Sequence, residues 1–148
     1  LIVRRPAVDA REVVAEAVLD PGQGLVGDSW GRRETPNPLA EVTLMNSRAI
    51  AAIAGDRDRW PLAGDQLYVD LDLGFENLPT GARLSLGEAV VEVTEEPHTG
   101  CAKFSARFGS EALRFVNKPP GRELRLRGVN VRVVEAGAVR VGDAVTKL

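Results

Sequence analysis

The sequence predicts a mainly β domain, a sandwich or barrel with a few short helices. Three observations carry this. Gly and Pro, 15 and 9 of the 148 residues, are spread as punctuation between short apolar runs, the pattern of many short strands joined by tight turns. Leu67, Val69, Leu71 and Leu73 alternate with Tyr68, Asp70 and Asp72, the period of two that marks a half-buried strand. Only a handful of segments repeat at the helical period. A chain of this length is one domain, 1–148, and buries enough surface to fold without staples.

The elements follow in chain order. Asp9-Ala10-Arg11-Glu12 has the form of a capping box. Val13, Val14, Ala17 and Val18 then make one apolar stripe, so a helix is expected up to Asp20-Pro21-Gly22. Val42–Met45 is a weak strand. Ser47–Ala54 is a helix whose Ile50, Ile53 and Ala54 share a face and which Gly55 ends. Strands are expected at Leu67–Leu73, Arg83–Leu86 and Ala89–Thr94. A helix over Ser110–Asn117 starts on Ser110 and stops before Pro119-Pro120. Glu123–Arg127, Val129–Val134, Ala138–Val141 and Ala144–Leu148 complete the strands. Around Gly128 the apolar parity slips, from Leu124 and Leu126 to Val129, Val131 and Val133. Either two strands meet at a bend there with solvated arginines, or a bulge at Gly128 restores register. The bulge would set Arg125, Arg127, Asn130 and Arg132 on the face away from the core.

Composition excludes several classes. Nineteen Lys and Arg against 21 Asp and Glu leave a net charge of −2, without the basic excess of a nucleic-acid binder. No apolar run approaches the roughly 18 residues of a membrane span. Leu1-Ile2-Val3-Arg4-Arg5-Pro6 is too short and too charged for a secretory signal, and without an initial Met, residues are expected to be missing upstream. One Cys and one His exclude an intrachain disulfide and the usual four-ligand zinc site. A single Cys fits a reducing, cytoplasmic setting.

Thiol or imidazole chemistry therefore falls to Cys101 and His98. They lie in Pro97-His98-Thr99-Gly100-Cys101-Ala102-Lys103-Phe104, directly after a strand. Pro97 and Gly100 end that strand and allow close backbone approach. The residues after Gly100 open a helical turn, whose amides and Lys103 would depress the thiol pKa. The competing reading is a small buried Cys serving as filler. The spacing of His98 and Cys101 also permits a Cys–His hydrolytic pair. Asn77, in Glu76-Asn77-Leu78-Pro79, either caps a turn or donates to a cofactor. Turn chemistry accounts for Gly27-Asp28, Gly64-Asp65 and Gly142-Asp143. No phosphate-loop or dinucleotide fingerprint occurs.

The order Gly27-Asp28, Val42-Thr43-Leu44-Met45-Asn46, Ala63-Gly64-Asp65-Gln66-Leu67, Glu76-Asn77-Leu78 with Gly81, Leu86-Gly87-Glu88-Ala89, Pro97–Lys103 and Arg127-Gly128-Val129-Asn130 resembles the MOSC domain, named for the C-terminal domain of molybdenum cofactor sulfurases. The resemblance runs from about Gly24 to Val145 and implies a MOSC-type β-barrel. It implies that Cys101 is the functional cysteine, as molybdenum ligand in members that bind molybdenum cofactor (molybdopterin), or as persulfide carrier in sulfur transfer. Soft thiolates suit such a metal, and the cofactor's phosphate calls for amides and Arg or Lys. The candidate catalytic set is Cys101, His98 and Lys103. The candidate cofactor contacts are Asn77, Thr99, Gly100, Arg107, Arg125, Arg127 and Asn130. The expected activity is an oxidoreductase acting on a small molecule. The alternative is a sulfur carrier or sulfurtransferase in metal–sulfur cofactor maturation, with a sulfur donor or redox protein as partner. The desulfurase domain of some members does not fit into 148 residues, so no pyridoxal phosphate is expected. The lead-in His98-Thr99-Gly100 differs from that of relatives reducing N-hydroxylated compounds, which leaves the substrate class open.

Overall fold

The computed structural model describes residues 1–148. Strands dominate. Eleven of them occur, β1 (Ile2–Arg4), β2 (Glu12–Val14), β3 (Glu16–Asp20), β4 (Gly24–Leu25), β5 (Val42–Asn46), β6 (Leu67–Val69), β7 (Arg83–Leu86), β8 (Ala89–Val93), β9 (Val129–Glu135), β10 (Gly137–Arg140) and β11 (Val145–Lys147). Helices are α1 (Ser47–Ala54), α2 (Ala102–Phe108) and α3 (Ser110–Asn117), with 3-10 turns at Ser29–Arg32 and Arg57–Ala63. Eight strands form a curled half-barrel in the order β11-β7-β8-β9-β5-β6-β1-β2, and β10-β3-β4 form a second sheet. All pairs are antiparallel except β5 with β6, whose crossover is α1 and the following 3-10 turn.

Both sheets close on one core of 19 buried residues, to which Leu19, Leu25, Leu44, Leu84, Val91 and Val131 belong. A second cluster of six, including Met45, Ile50 and Tyr68, seats α1 on the outside of β5. The β7–β8 hairpin turns on Gly87-Glu88 with Gly87 at φ 57°. That is the value a two-residue turn with Gly first requires. A Cβ there would also meet an oxygen of Asp143 at 2.4 Å. Helix α1 starts where Asn46 accepts from the amides of Arg48 and Ala49 at 2.8 and 3.1 Å, and Gly55 ends it.

Four sequence expectations are corrected. The stretch after Asp9 is not helical. Asp9 takes φ 60°, and β2 and β3 follow. In β3, Ala17 and Leu19 are buried while Glu16 and Val18 are exposed. The β-branched residues suit either period, and pairing with β4 and β10 decides for strand. The alternating run from Leu67 is a strand only to Val69, although Leu73 still reaches the core. Glu123–Arg127 is a series of turns, because Arg125 takes φ 48° and Leu126 N–H bonds back to Gly121 O at 3.0 Å. Neither a two-strand bend nor a bulge restores register at Gly128, since no strand precedes it. The arginines there are not uniformly solvated: Arg127 is 8% exposed.

Candidate functional site

The loop leaving β8 carries the reactive residues and is pinned at three points. Thr94 Oγ1 donates to Leu39 O. Asn130 Nδ2, from β9, donates to Glu96 O and Pro97 O at 3.2 and 3.3 Å. Asn117, at the end of α3, bonds both the N–H and the C=O of Gly100 at 2.8 and 2.9 Å. Gly100 packs so closely on α3 that a Cβ would lie 2.7 Å from Leu113 Cδ1.

Cys101 is thereby delivered, exposed, to the N-cap position of α2. Its side chain makes no conventional capping bond, yet the first-turn amides of Phe104 and then Lys103 stabilise negative charge on Sγ. Partial burial opposes them, Arg127 and Arg107 assist, and the thiol pKa is lowered. The competing reading of a buried filler is excluded by this exposure.

The cleft in front of the sulfur measures about 290 Å³. Arg5, Arg11, Arg33, Lys103, Arg107 and Arg127 line it. Three of these have carboxylate partners. Arg5 holds the buried Asp28 through Nε and Nη2 at 3.0 and 2.8 Å, Arg107 meets Asp9 at 3.3 Å, and Arg127 pairs with Asp65. Arg11, Arg33 and Lys103 have none. Arg11 bonds only carbonyls, of Pro61 and Ala10. Its pKa is lowered by partial burial and by the neighbouring charges of Arg107 and Arg5. Arg127 lies over the Phe104 ring at 5.0 Å, and its Nε is buried without a partner. The arrangement accommodates an anion.

Beneath the cleft sits Asp65, with no exposed side-chain surface. One carboxylate oxygen lies 2.7 Å from His98 Nε2 and the other pairs with Arg127. Burial would raise its pKa. The charges of Arg127 and His98 outweigh burial and hold it well below the usual carboxylate range. His98 is bonded to Asp65, and no hydrogen bond joins it to Cys101.

The structure thus gathers Cys101, His98, Lys103, Arg107 and Arg127 around one cleft. His98 and Arg127 also line a second cavity of about 140 Å³, together with Thr99 and Arg125. Arg125 is committed to the carbonyls of Leu73 and Leu78 and to the face of Phe75, 3.8 Å away. Gly100 and Asn130 hold the loop rather than face the cleft. Asn77 lines neither cavity. Its amide donates to Asp72 O at 2.7 Å, so it caps a turn. Asp65, Arg5, Arg11 and Arg33 join the site without a signal in the sequence. Asp65 reads there as a turn residue after Gly64, and Arg11 as part of a capping box. No local pattern marks the N-terminal arginines, which the β1–β2 pairing and the 3-10 turn at Ser29–Arg32 bring to the cleft.

No cluster of three or more His, Cys, Asp or Glu exists that could hold a metal ion. A metal held through Cys101 would have fewer than three such protein ligands and would bring the rest of its coordination along. A soft thiolate beside an excess of cations fits a sulfur-ligated metal on a phosphate-bearing carrier.

A curled half-barrel with a cysteine presented on a strand-to-helix loop is the architecture of a small β domain built around one thiol. The model of the MOSC domain matches residues 38–146, and the chain belongs to that family. Its fold is similar to the crystal structure of a hypothetical protein at 19% identity (TM-score 0.66; 99% of this chain, 64% of that one). It is similar to YiiM from Escherichia coli at 18% identity (TM-score 0.62; 99% and 67%). YuaD from Bacillus subtilis matches at 17% identity (TM-score 0.61; 97% and 91%). The chain thus spans about two thirds of the length of the first two. No curated protein matches. No helix is long and apolar enough to cross a membrane.

Proposed function

We propose that the chain binds a molybdenum cofactor, with Cys101 as the metal's thiolate ligand and the cationic cleft as the seat of the cofactor's phosphate. The observation that carries this reading is the excess of positive charge around one exposed, acidified thiol. Arg11, Arg33 and Lys103 are the cations free to take the phosphate. Arg5 and Arg107 are held by Asp28 and Asp9 and set the shape of the rim. Arg127 offers its partnerless Nε–H. When bound, such a cofactor supplies two-electron oxygen-atom chemistry, and the protein supplies position and electrostatics. The reading makes the chain an oxidoreductase on a small molecule.

The test is elemental analysis of protein purified from a molybdenum-replete host. Near-stoichiometric molybdenum that disappears in Cys101→Ser supports it. Absent molybdenum together with cyanide-releasable sulfur on Cys101 supports instead the sulfur-carrier reading, which the open approach to this thiol also suits. Neither signal overturns both.

A further inference from the structure

His98 is the chain's single histidine, and its two ring nitrogens have different surroundings. Nε2 lies 2.7 Å from Asp65 Oδ1. The Asp65 carboxylate is sealed from solvent, and Arg127 occupies its other oxygen. An ionised carboxylate only accepts, so the hydrogen of this contact resides on Nε2. Nδ1 has no protein partner and is not among the buried unpartnered atoms. The ring is further fixed by Gly128, where a Cβ would come within 2.9 Å of His98 Cδ2. It forms part of the wall between the Cys101 cleft and the second cavity.

We propose that His98 is the proton-transfer group of this site, acting through Nδ1, and that Asp65 is the positioning residue that fixes its tautomer. The use of that proton in catalysis rests on the cofactor reading of the cleft. The tautomer does not. Nδ1 takes a proton from solvent through the partly exposed ring edge and passes it to an oxygen or nitrogen of a small molecule bound in either cavity, while Nε2–H stays on Asp65 throughout. The charged groups around the ring are Asp65 and Arg127 beneath it, Arg5, Asp9, Arg11, Arg33, Lys103 and Arg107 across the cleft, and Glu95, Glu96, Arg122 and Arg125 around the second cavity. The chemistry suits a substrate whose heteroatom gains or loses a proton as it reacts. This joins the two cavities into one site, one side presenting the thiol and the other admitting substrate past Thr80 and Thr99.

With one histidine, long-range proton–nitrogen NMR of the full chain labelled with 15N-histidine shows one imidazole. At mildly alkaline pH the expected spectrum is a single tautomer, bare at Nδ1 and protonated at Nε2. In Asp65→Asn, Arg127 retains the carboxamide oxygen and the NH₂ turns to His98, so the tautomer inverts. A ring doubly protonated throughout the folded pH range would make the contact a static ion pair and overturn the proposal, as would a tautomer mixture in the wild type. Diethylpyrocarbonate provides a readout without a variant. Native protein should form one N-carbethoxyhistidine, at Nδ1 of His98, read by its ultraviolet absorbance apart from any reaction at Cys101 or at amines, and failure of the histidine to react before unfolding also overturns the proposal. Neither measurement needs metal, so a molybdenum-free protein with the expected spectrum would sink the cofactor reading alone.

Discussion

Asn117 closes on both ends of one residue: its Oδ1 accepts from Gly100 N–H at 2.8 Å and its Nδ2 donates to Gly100 C=O at 2.9 Å. The last turn of α3 thus grips the residue before the thiol. The sulfur's placement depends on a helix beginning nine residues downstream of it. Asn117→Ala leaves two half-buried backbone groups unpaired, a loss of about 1–3 kcal/mol. A urea unfolding series is expected to show the corresponding fall in midpoint with unchanged slope. Asn117→Asp keeps the acceptor and loses the donor, so it should fall between wild type and Ala. An Ala variant as stable as wild type would mean that Gly100 is held by packing on Leu113 alone.

The thiol itself gives the second expectation. The amides of Phe104 and Lys103 favour the thiolate, with Arg127 and Arg107 adding to them. The rate of alkylation by iodoacetamide should therefore rise with pH to a midpoint below the roughly 8.5 of an ordinary cysteine. Arg107→Gln removes a positive charge from the rim, favours the neutral thiol and moves the midpoint upward, by a few tenths of a unit on the order of a screened surface interaction. A wild-type midpoint at or above the ordinary value would remove the argument for a thiolate ligand.

What could be read from the chain differs between fold and site for a physical reason. The β class, α1, α3 and most strands of the half-barrel follow from local periodicity and turn residues, and Cys101 stands out because Gly100 and Lys103 flank it. Asp65 gave no such signal. Gly64 at φ 86° does make a turn there, but the carboxylate's importance comes from Arg127 and His98, 62 and 33 residues away. The sequence pattern puts Arg127 among residues facing away from the core, yet its guanidinium is drawn inward by that same carboxylate. The capping box at Asp9 misled for the reverse reason. Its Asp is taken by Arg107, 98 residues on, and pairing with β1 claims the segment it would have capped.

The buried Asp65–Arg127 pair sets the acid limit of stability. Asp65's pKa is lower folded than unfolded. Its contribution is therefore complete above the unfolded value, about 3.9, and is lost as pH falls from there toward the folded value. Asp28, which burial would raise but Arg5 and the amide of Trp30 hold down, adds in the same direction. Arg127→Met strands a buried carboxylate and should cost about 3–5 kcal/mol. It also raises the Asp65 pKa, so acid unfolding begins at higher pH. The double variant Asp65→Asn with Arg127→Met should recover part of the loss, and unfolding midpoints across an acid pH series measure both effects. If the double variant is as unstable as the sum of the single changes, the two side chains are not energetically linked.

Arg11 makes the sharpest demand on the reading of the cleft. It hydrogen-bonds no carboxylate, and the charges of Arg107 and Arg5 act on it from nearby, opposed in part by Asp9. Cations are stable at such density only if something negative joins them or if solvent screens them. Arg11→Gln removes one member of the cluster while keeping a polar side chain beside Pro61 O. Two opposite effects are expected. Without ligand the variant melts at the same temperature as wild type or higher, and the difference shrinks as salt rises, because repulsion among partly exposed charges is screened. With inorganic pyrophosphate as the anion, wild type gains thermal stability by ligand linkage. The variant gains less, since one charge-assisted hydrogen bond, worth about 1.5–3 kcal/mol, is gone. That corresponds to at least about tenfold in dissociation constant. A merely structural arginine would lower the melting temperature and leave the pyrophosphate response intact, so the signs of the two shifts separate an anion seat from a rim that happens to be basic.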